Sequence, residues 1–127
     1  MTDERYERGV QVRYEIFGKE ATDAQLTGAD PFMGRLQDLV TGYCFGENWS
    51  RELLPLKIRS MITIAILAAQ GREQEIKIHV RGALNNGVSR EEIGEVFLHA
   101  AVYAGVPAAV AGFRAASEVF TQIDAES

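Results

Sequence analysis

Pro55-Leu-Lys-Ile-Arg-Ser-Met-Ile-Thr-Ile-Ala-Ile-Leu-Ala-Ala-Gln70 is the stretch whose reading decides the fold. Proline is tolerated at the head of a helix, where its fixed φ suits the first turn and its missing N–H has no partner to lose. After Arg59 the apolar residues sit nearly all round a helical wheel, the pattern of a buried central helix, and Gly71 supplies the closing cap. Downstream, Glu73 to about Asn85 reads as a further helix ended by Asn86-Gly87, a pair suited to the left-handed conformation. Ser89 with Glu92 three positions on is a capping box that opens the next helix, which runs to about Tyr103 and stops at Gly105. Pro107 starts the last, with Val110, Phe113, Ala116, Val119 and Phe120 on one side and a polar tail after Ile123 that is expected to fray.

Upstream the periodicity breaks between Cys44 and Leu54, which reads as a loop mixing an aromatic, carboxylates and a guanidinium. Before it, Asp30 caps a helix with Pro31 at its first position and Phe32, Leu36, Leu39, Val40 and Tyr43 at helical spacing. Lys19 to Ala29 reads as a looser stretch, and Asp3 to Phe17 as a first helix ended by Gly18. No strand pattern and no repeat interrupts the series. The expectation is an all-α domain of about six helices.

The chain has 127 residues, enough for one core and too few for two ordinary ones, so residues 1–127 are expected to form one domain. Its 46% hydrophobic and 24% charged residues are those of a globular protein. A net charge of -5 argues against a nucleic-acid partner, which would require clustered Lys and Arg to displace counterions. It leaves room for a small anionic substrate, since one or two arginines set the potential of a cleft. The one cysteine, Cys44, excludes an internal disulfide, a two-thiol redox centre and a Cys-rich zinc site within one chain. His79 and His99, twenty positions apart, form no recognisable metal-ligand set, so no metal is expected. The acidic N-terminus resembles no targeting segment, and Met61 to Ala69 is far short of a membrane span; the expected compartment is the cytoplasm, with no membrane partner. Small residues such as Ala100, Ala101, Ala104, Gly105, Ala108 and Ala109 let a second backbone come close, so a homo-oligomer is expected.

Four segments then bear on function: Phe45-Gly-Glu-Asn-Trp-Ser-Arg51, Arg59-Ser60, His79-Val-Arg-Gly-Ala-Leu-Asn-Asn-Gly87 and Ala101-Val-Tyr-Ala-Gly-Val-Pro-Ala-Ala109. In order and spacing they resemble the signature of the carboxymuconolactone decarboxylases, and the likeness extends to the Tyr6-Glu7-Arg8-Gly9 start. The resemblance implies the AhpD-like all-α fold, assembled as a trimer or hexamer. The AhpD alkylhydroperoxidases carry a Cys-x-x-Cys pair ahead of a histidine on one helix. With His79 at that histidine, the thiol positions are Arg72 and Glu75, which excludes thiol peroxidase chemistry. Where the decarboxylases commonly read Pro-Gly-Leu-Asp after the Trp-Ser-Arg segment, this chain has Glu52-Leu-Leu-Pro55, and a polar residue often found near Ala111 is missing.

The reaction so implied converts 4-carboxymuconolactone to 3-oxoadipate enol-lactone and carbon dioxide. It requires no cofactor, because electrons left by the departing carboxylate flow through the ring double bond to the lactone carbonyl, where a simple acid would need a prosthetic electron sink. The protein has to hold the other carboxylate, for which the planar fork of Arg51 is the first candidate, with Arg81 and Arg72 behind it. It has to surround the scissile group with apolar walls, to which Trp49 contributes. It also has to return a proton to carbon. His79 is the candidate donor, since an ordinary imidazole titrates near neutrality; Glu47 either orients that imidazole or is itself the acid. The plainer alternatives are Trp49 as a core anchor, Glu47 and Arg51 as a surface pair, and His99 packing locally beside Glu95 and Tyr103. As a whole, the alternative is an AhpD-fold paralogue without redox thiols that binds or acts on a different small carboxylic acid or lactone.

Overall fold

The computed structural model describes residues 3–127. They form seven α-helices and one π-helical segment, with no strand among the described residues. The chain divides into two compact units, one ending at Leu56 and the other running from Lys57 to Ser127.

In the first unit α1 (Glu4–Phe17) begins where the Asp3 carboxylate accepts the Tyr6 N–H at 2.8 Å. α2 (Lys19–Gly28) follows Gly18 directly, so the looser stretch expected there is helical. Its sequence carries no apolar stripe for periodicity to detect. It is held by polar contacts: buried Thr22 donates to the Arg13 carbonyl at 3.3 Å, and Asp23 accepts from both Tyr14 Oη and Lys19 Nζ at 2.6 Å. α3 (Pro31–Leu39) is capped by Asp30, which accepts the Met33 N–H at 2.9 Å, and it buries none of its residues.

The π-helix (Val40–Trp49) corrects the loop expected from Cys44 onward. Two glycines and the polar run Gly46-Glu47-Asn48 make the segment a poor helix former in isolation. Packing against α1 overrides that preference. A Cβ built on Gly9 would lie 1.9 Å from the Thr41 carbonyl oxygen, and one on Gly46 would lie 1.9 Å from the Arg5 carbonyl oxygen, so backbone meets backbone. Ile16, Phe45 and Trp49 form the apolar core of this unit. Beside them Arg13, only 3% exposed, ties three elements together. Its guanidinium donates to Gln37 and Thr41 at 2.9 Å and to Gln25, and it lies 5.6 Å from the centroid of the Phe45 ring.

In the second unit α4 (Leu56–Gln70) buries Ser60, Ile64 and Ala68. Met61 and Leu67 are partly buried beside that stripe, while Ile58, Ile62 and Ile66 remain exposed within the chain, which corrects the helix buried all round that the composition suggested. α5 (Glu73–Asn85) has the expected bounds, and Gly87 at φ 92° supplies the left-handed residue beyond it, while Asn86 keeps a negative φ. α6 (Arg90–Ala104) opens on the expected capping box, the Ser89 hydroxyl accepting the Glu92 N–H at 3.0 Å and the Glu92 carboxylate accepting the Ser89 N–H at 2.9 Å. α7 (Val106–Glu126) reaches nearly to the end of the chain, where fraying was expected. The tail is pinned by ion pairs, Arg90 to Asp124 at 2.7 Å and Arg81 to Glu126 at 3.3 Å. Ile64, Ala68, Ile76, Val80, Ile93, Phe97, Ala115 and Val119 interlock as the core.

Candidate functional site

The first unit carries an open cleft of about 730 Å³ between α1 and the turn that follows the π-helix. Trp49, 8% exposed, forms part of its apolar wall, in ring contact with Phe45 at 5.6 Å. The turn from Ser50 to Pro55 brings Arg51 to the same cleft, and α1 contributes Arg8 from the opposite wall. Glu4, Glu7, Glu15 and Glu52 also line it, so carboxylates outnumber guanidiniums. The wider field of the cleft is therefore acidic, with its positive charge confined to two guanidiniums, groups whose planar forks suit an anion at short range.

Of the residues singled out in the sequence, the structure brings Trp49 and Arg51 together in this cleft. Glu47 lies on the same π-helix, half-exposed, its carboxylate 3.6 Å from the Arg5 guanidinium. Arg8 was missed as a cleft residue. It sits in the Tyr6-Glu7-Arg8-Gly9 start quoted above, but helical periodicity alone assigns an exposed arginine on α1 no partner.

In the second unit His79 lies on α5, partly buried, on the side that carries Ile76 and Ala83 one turn either way, and next to buried Val80. Burial pulls its pKa down to about 4, against the opposing pull of the Glu75 carboxylate one turn earlier. The imidazole is therefore neutral at neutral pH. This corrects the premise that His79 titrates near neutrality on its own. Arg72 stands at the start of α5, exposed. Arg81 faces away from His79, two positions further along the helix, and donates to Gln122 at 3.2 Å and Glu126 at 3.3 Å of α7.

His99 is exposed and lies beside Tyr103, the neighbour the sequence suggested, with ring centroids 5.3 Å apart. Both line an apolar groove of about 740 Å³ between α4 and α6 with Ile62, Ile66 and Val96, and Glu95 lies on the same wall. Among the described residues no three His, Cys, Asp or Glu side chains converge as a metal-holding group. No helix among them is long and apolar enough to cross a membrane.

Residues 34–118, well over half of the chain, match the model of the carboxymuconolactone decarboxylase family. The chain belongs to that family. The match takes in the π-helix, the Arg51 turn and His79. Among individual proteins the chain is 41% identical over 124 residues to the 4-carboxymuconolactone decarboxylase of Acinetobacter baylyi, covering 97% of this chain and 92% of that one. It is 39% identical over 105 residues to a nitrosuccinic acid decarboxylase of Metarhizium robertsii, covering 83% of this chain and 73% of that one. Both of these relatives are named as decarboxylases.

Proposed function

We propose that this protein is a cofactor-independent carboxy-lyase that converts 4-carboxymuconolactone to 3-oxoadipate enol-lactone and carbon dioxide, a step in the breakdown of protocatechuate-type aromatic acids. The observation that carries the reading is the 41% identity with a 4-carboxymuconolactone decarboxylase over nearly the full length of both chains. The reading treats residues 1–127 as one functional domain working in the cytoplasm.

In this account Arg51 grips the carboxylate that stays on the product, and Trp49 walls off water so that the scissile carboxylate, poorly solvated, releases its charge into the ring. The electron pair passes through the ring double bond to the lactone carbonyl, and the resulting dienolate takes a proton at carbon. His79 is the proton carrier. Resting neutral, it takes up a proton when the anionic substrate binds, then delivers it. Lifting its pKa from about 4 to near 7 requires about 4 kcal/mol of favourable interaction. One carboxylate about 4 Å away at an effective dielectric of about 20 supplies that amount. Glu47 steers the proton from its place on the π-helix, and Arg72 adds positive charge at the head of α5.

A second substrate reading has its own support. Nitrosuccinic acid is also a small dicarboxylic acid, with a nitro group able to accept the electron pair, so the same demands are met by an acid that is not a lactone. Purified protein offered both acids decides between them. The lead reading requires consumption of the lactone, and loss of at least about a hundredfold in kcat/KM for His79→Ala and Arg51→Ala with helical circular dichroism intact. Normal turnover by both variants refutes the assignment of roles, and a dead but folded Cys44→Ser revives thiol chemistry.

The protein also works as a homo-oligomer, a trimer or hexamer. Phe32, Leu36, Leu39 and Tyr43 leave an uncovered apolar ridge in the first unit, and the α4–α6 groove leaves a second apolar surface, with Ile66 52% exposed. Light scattering that returns a monomer mass at micromolar concentration overturns this.

A further inference from the structure

We propose that Arg8 is a second specificity-determining residue, forming with Arg51 a two-guanidinium clamp on the carboxylate that the reaction retains. The inference rests on the decarboxylase reading and deepens it.

The Nε of Arg8 donates to the Gly46 carbonyl at 3.2 Å. The same carbonyl accepts the Ser50 hydroxyl at 2.5 Å, and Ser50 immediately precedes Arg51. One backbone oxygen thus ties together the roots of both arginines. That oxygen is itself fixed, because Gly46 is pressed against the Arg5 carbonyl closely enough that no side chain fits between α1 and the π-helix. Arg8 therefore has its inner nitrogen committed and its two Nη groups left over. Among the described residues it makes no ion pair, although Glu4, Glu7, Glu15 and Glu52 line the same cleft and Glu4 stands one helical turn away. The Nη pair is the edge of a guanidinium that accepts a carboxylate in two parallel hydrogen bonds.

The chemistry selects which carboxylate. A fixed cation on the departing group stabilises charge that the transition state is dispersing, and so slows the reaction. The retained carboxylate keeps its full charge throughout, so two cations on it strengthen binding equally in the ground and transition states. Such uniform binding lowers KM and leaves the chemical step alone. The clamp also selects for ligands that carry a carboxylate, because one without it gives the Nη edge of Arg8 nothing to hold in two parallel bonds.

The test uses the whole protein and its Arg8→Met, Arg8→Gln and Arg8→Lys variants. Turnover of 4-carboxymuconolactone gives kcat and KM separately, while calorimetric titration with succinate and with its dimethyl ester reads carboxylate selectivity in the absence of chemistry. The expected result for Arg8→Met is a KM raised about tenfold or more, a kcat moved far less, and the preference for succinate over the diester reduced about tenfold, with Arg8→Lys in between. Arg8→Gln keeps a donor for the Gly46 carbonyl and reads the same loss if Arg8→Met does not fold. A fall in kcat at constant KM, or equal weakening of diacid and diester, overturns the clamp, as does wild-type protein that binds the two alike. If the wild type binds succinate selectively yet leaves the lactone untouched, the substrate reading fails and the clamp stands.

Discussion

Acidification should destabilise this protein through His79 in particular. The imidazole has a pKa of about 4 when folded, against 6.5 for an ordinary histidine, so the unfolded chain binds the proton more tightly. Stability from the neutral imidazole is complete above pH 6.5, is lost as pH falls from there toward 4, and changes no further below. The full difference is about 3 kcal/mol, of which about 2 kcal/mol is gone by pH 5. Carboxylates titrating in the same range confuse a single curve, so the measurement is a difference. Urea unfolding of wild type and His79→Gln at pH 7, 6, 5 and 4 should show the wild type losing about 2 kcal/mol more than the variant between pH 7 and 5. The His79 Cε1 proton, assigned by its absence in the variant, should remain at its neutral chemical shift down to pH 5. A gap under about 0.5 kcal/mol at pH 5, or an imidazole already titrating above pH 6 without ligand, would refute both the burial argument and the idea that substrate must charge this histidine.

Other perturbations have similarly definite outcomes. Succinate binding should draw protons from solution, measurable as a heat that varies with the ionisation enthalpy of the buffer, and His79→Gln should abolish that dependence. Gly46→Ala should lower stability by about 3 kcal/mol or more in denaturant unfolding, since its methyl has no space against the Arg5 carbonyl, whereas Gly34→Ala, inside α3 with nothing near its would-be Cβ, should raise it by about 0.5 to 1 kcal/mol. Arg13→Lys should cost about 2 kcal/mol, because one ammonium does not span the acceptors on Gln25, Gln37 and Thr41. Ser89→Ala should cost about 1 kcal/mol through the lost cap of α6.

What the sequence made legible follows from which forces leave a local trace. Caps do: Asp30, Ser89 with Glu92, and Gly87 mark their helix ends because each acts on residues within one turn. The helix after Gly18 left none, since Thr22, Asp23 and Tyr14 stabilise it by polar contacts that hydrophobic spacing cannot register. The π-helix was hidden because its cause is the backbone of α1, more than thirty residues away in sequence. The same division runs through the candidate site. Trp49 and Arg51 stood out as neighbours in a segment of family character, and the structure does bring them to one cleft. Arg8 depends on a carbonyl thirty-eight positions distant, and the depressed basicity of His79 depends on burial, a property of packing that no spacing displays.

The chain has a single tryptophan, and it is the one in the cleft wall. Its indole emission therefore reports from one address only. Any acid that enters displaces water beside the ring and shifts or quenches that signal, so occupancy can be followed without a label, on the native protein, in a stopped-flow mixer.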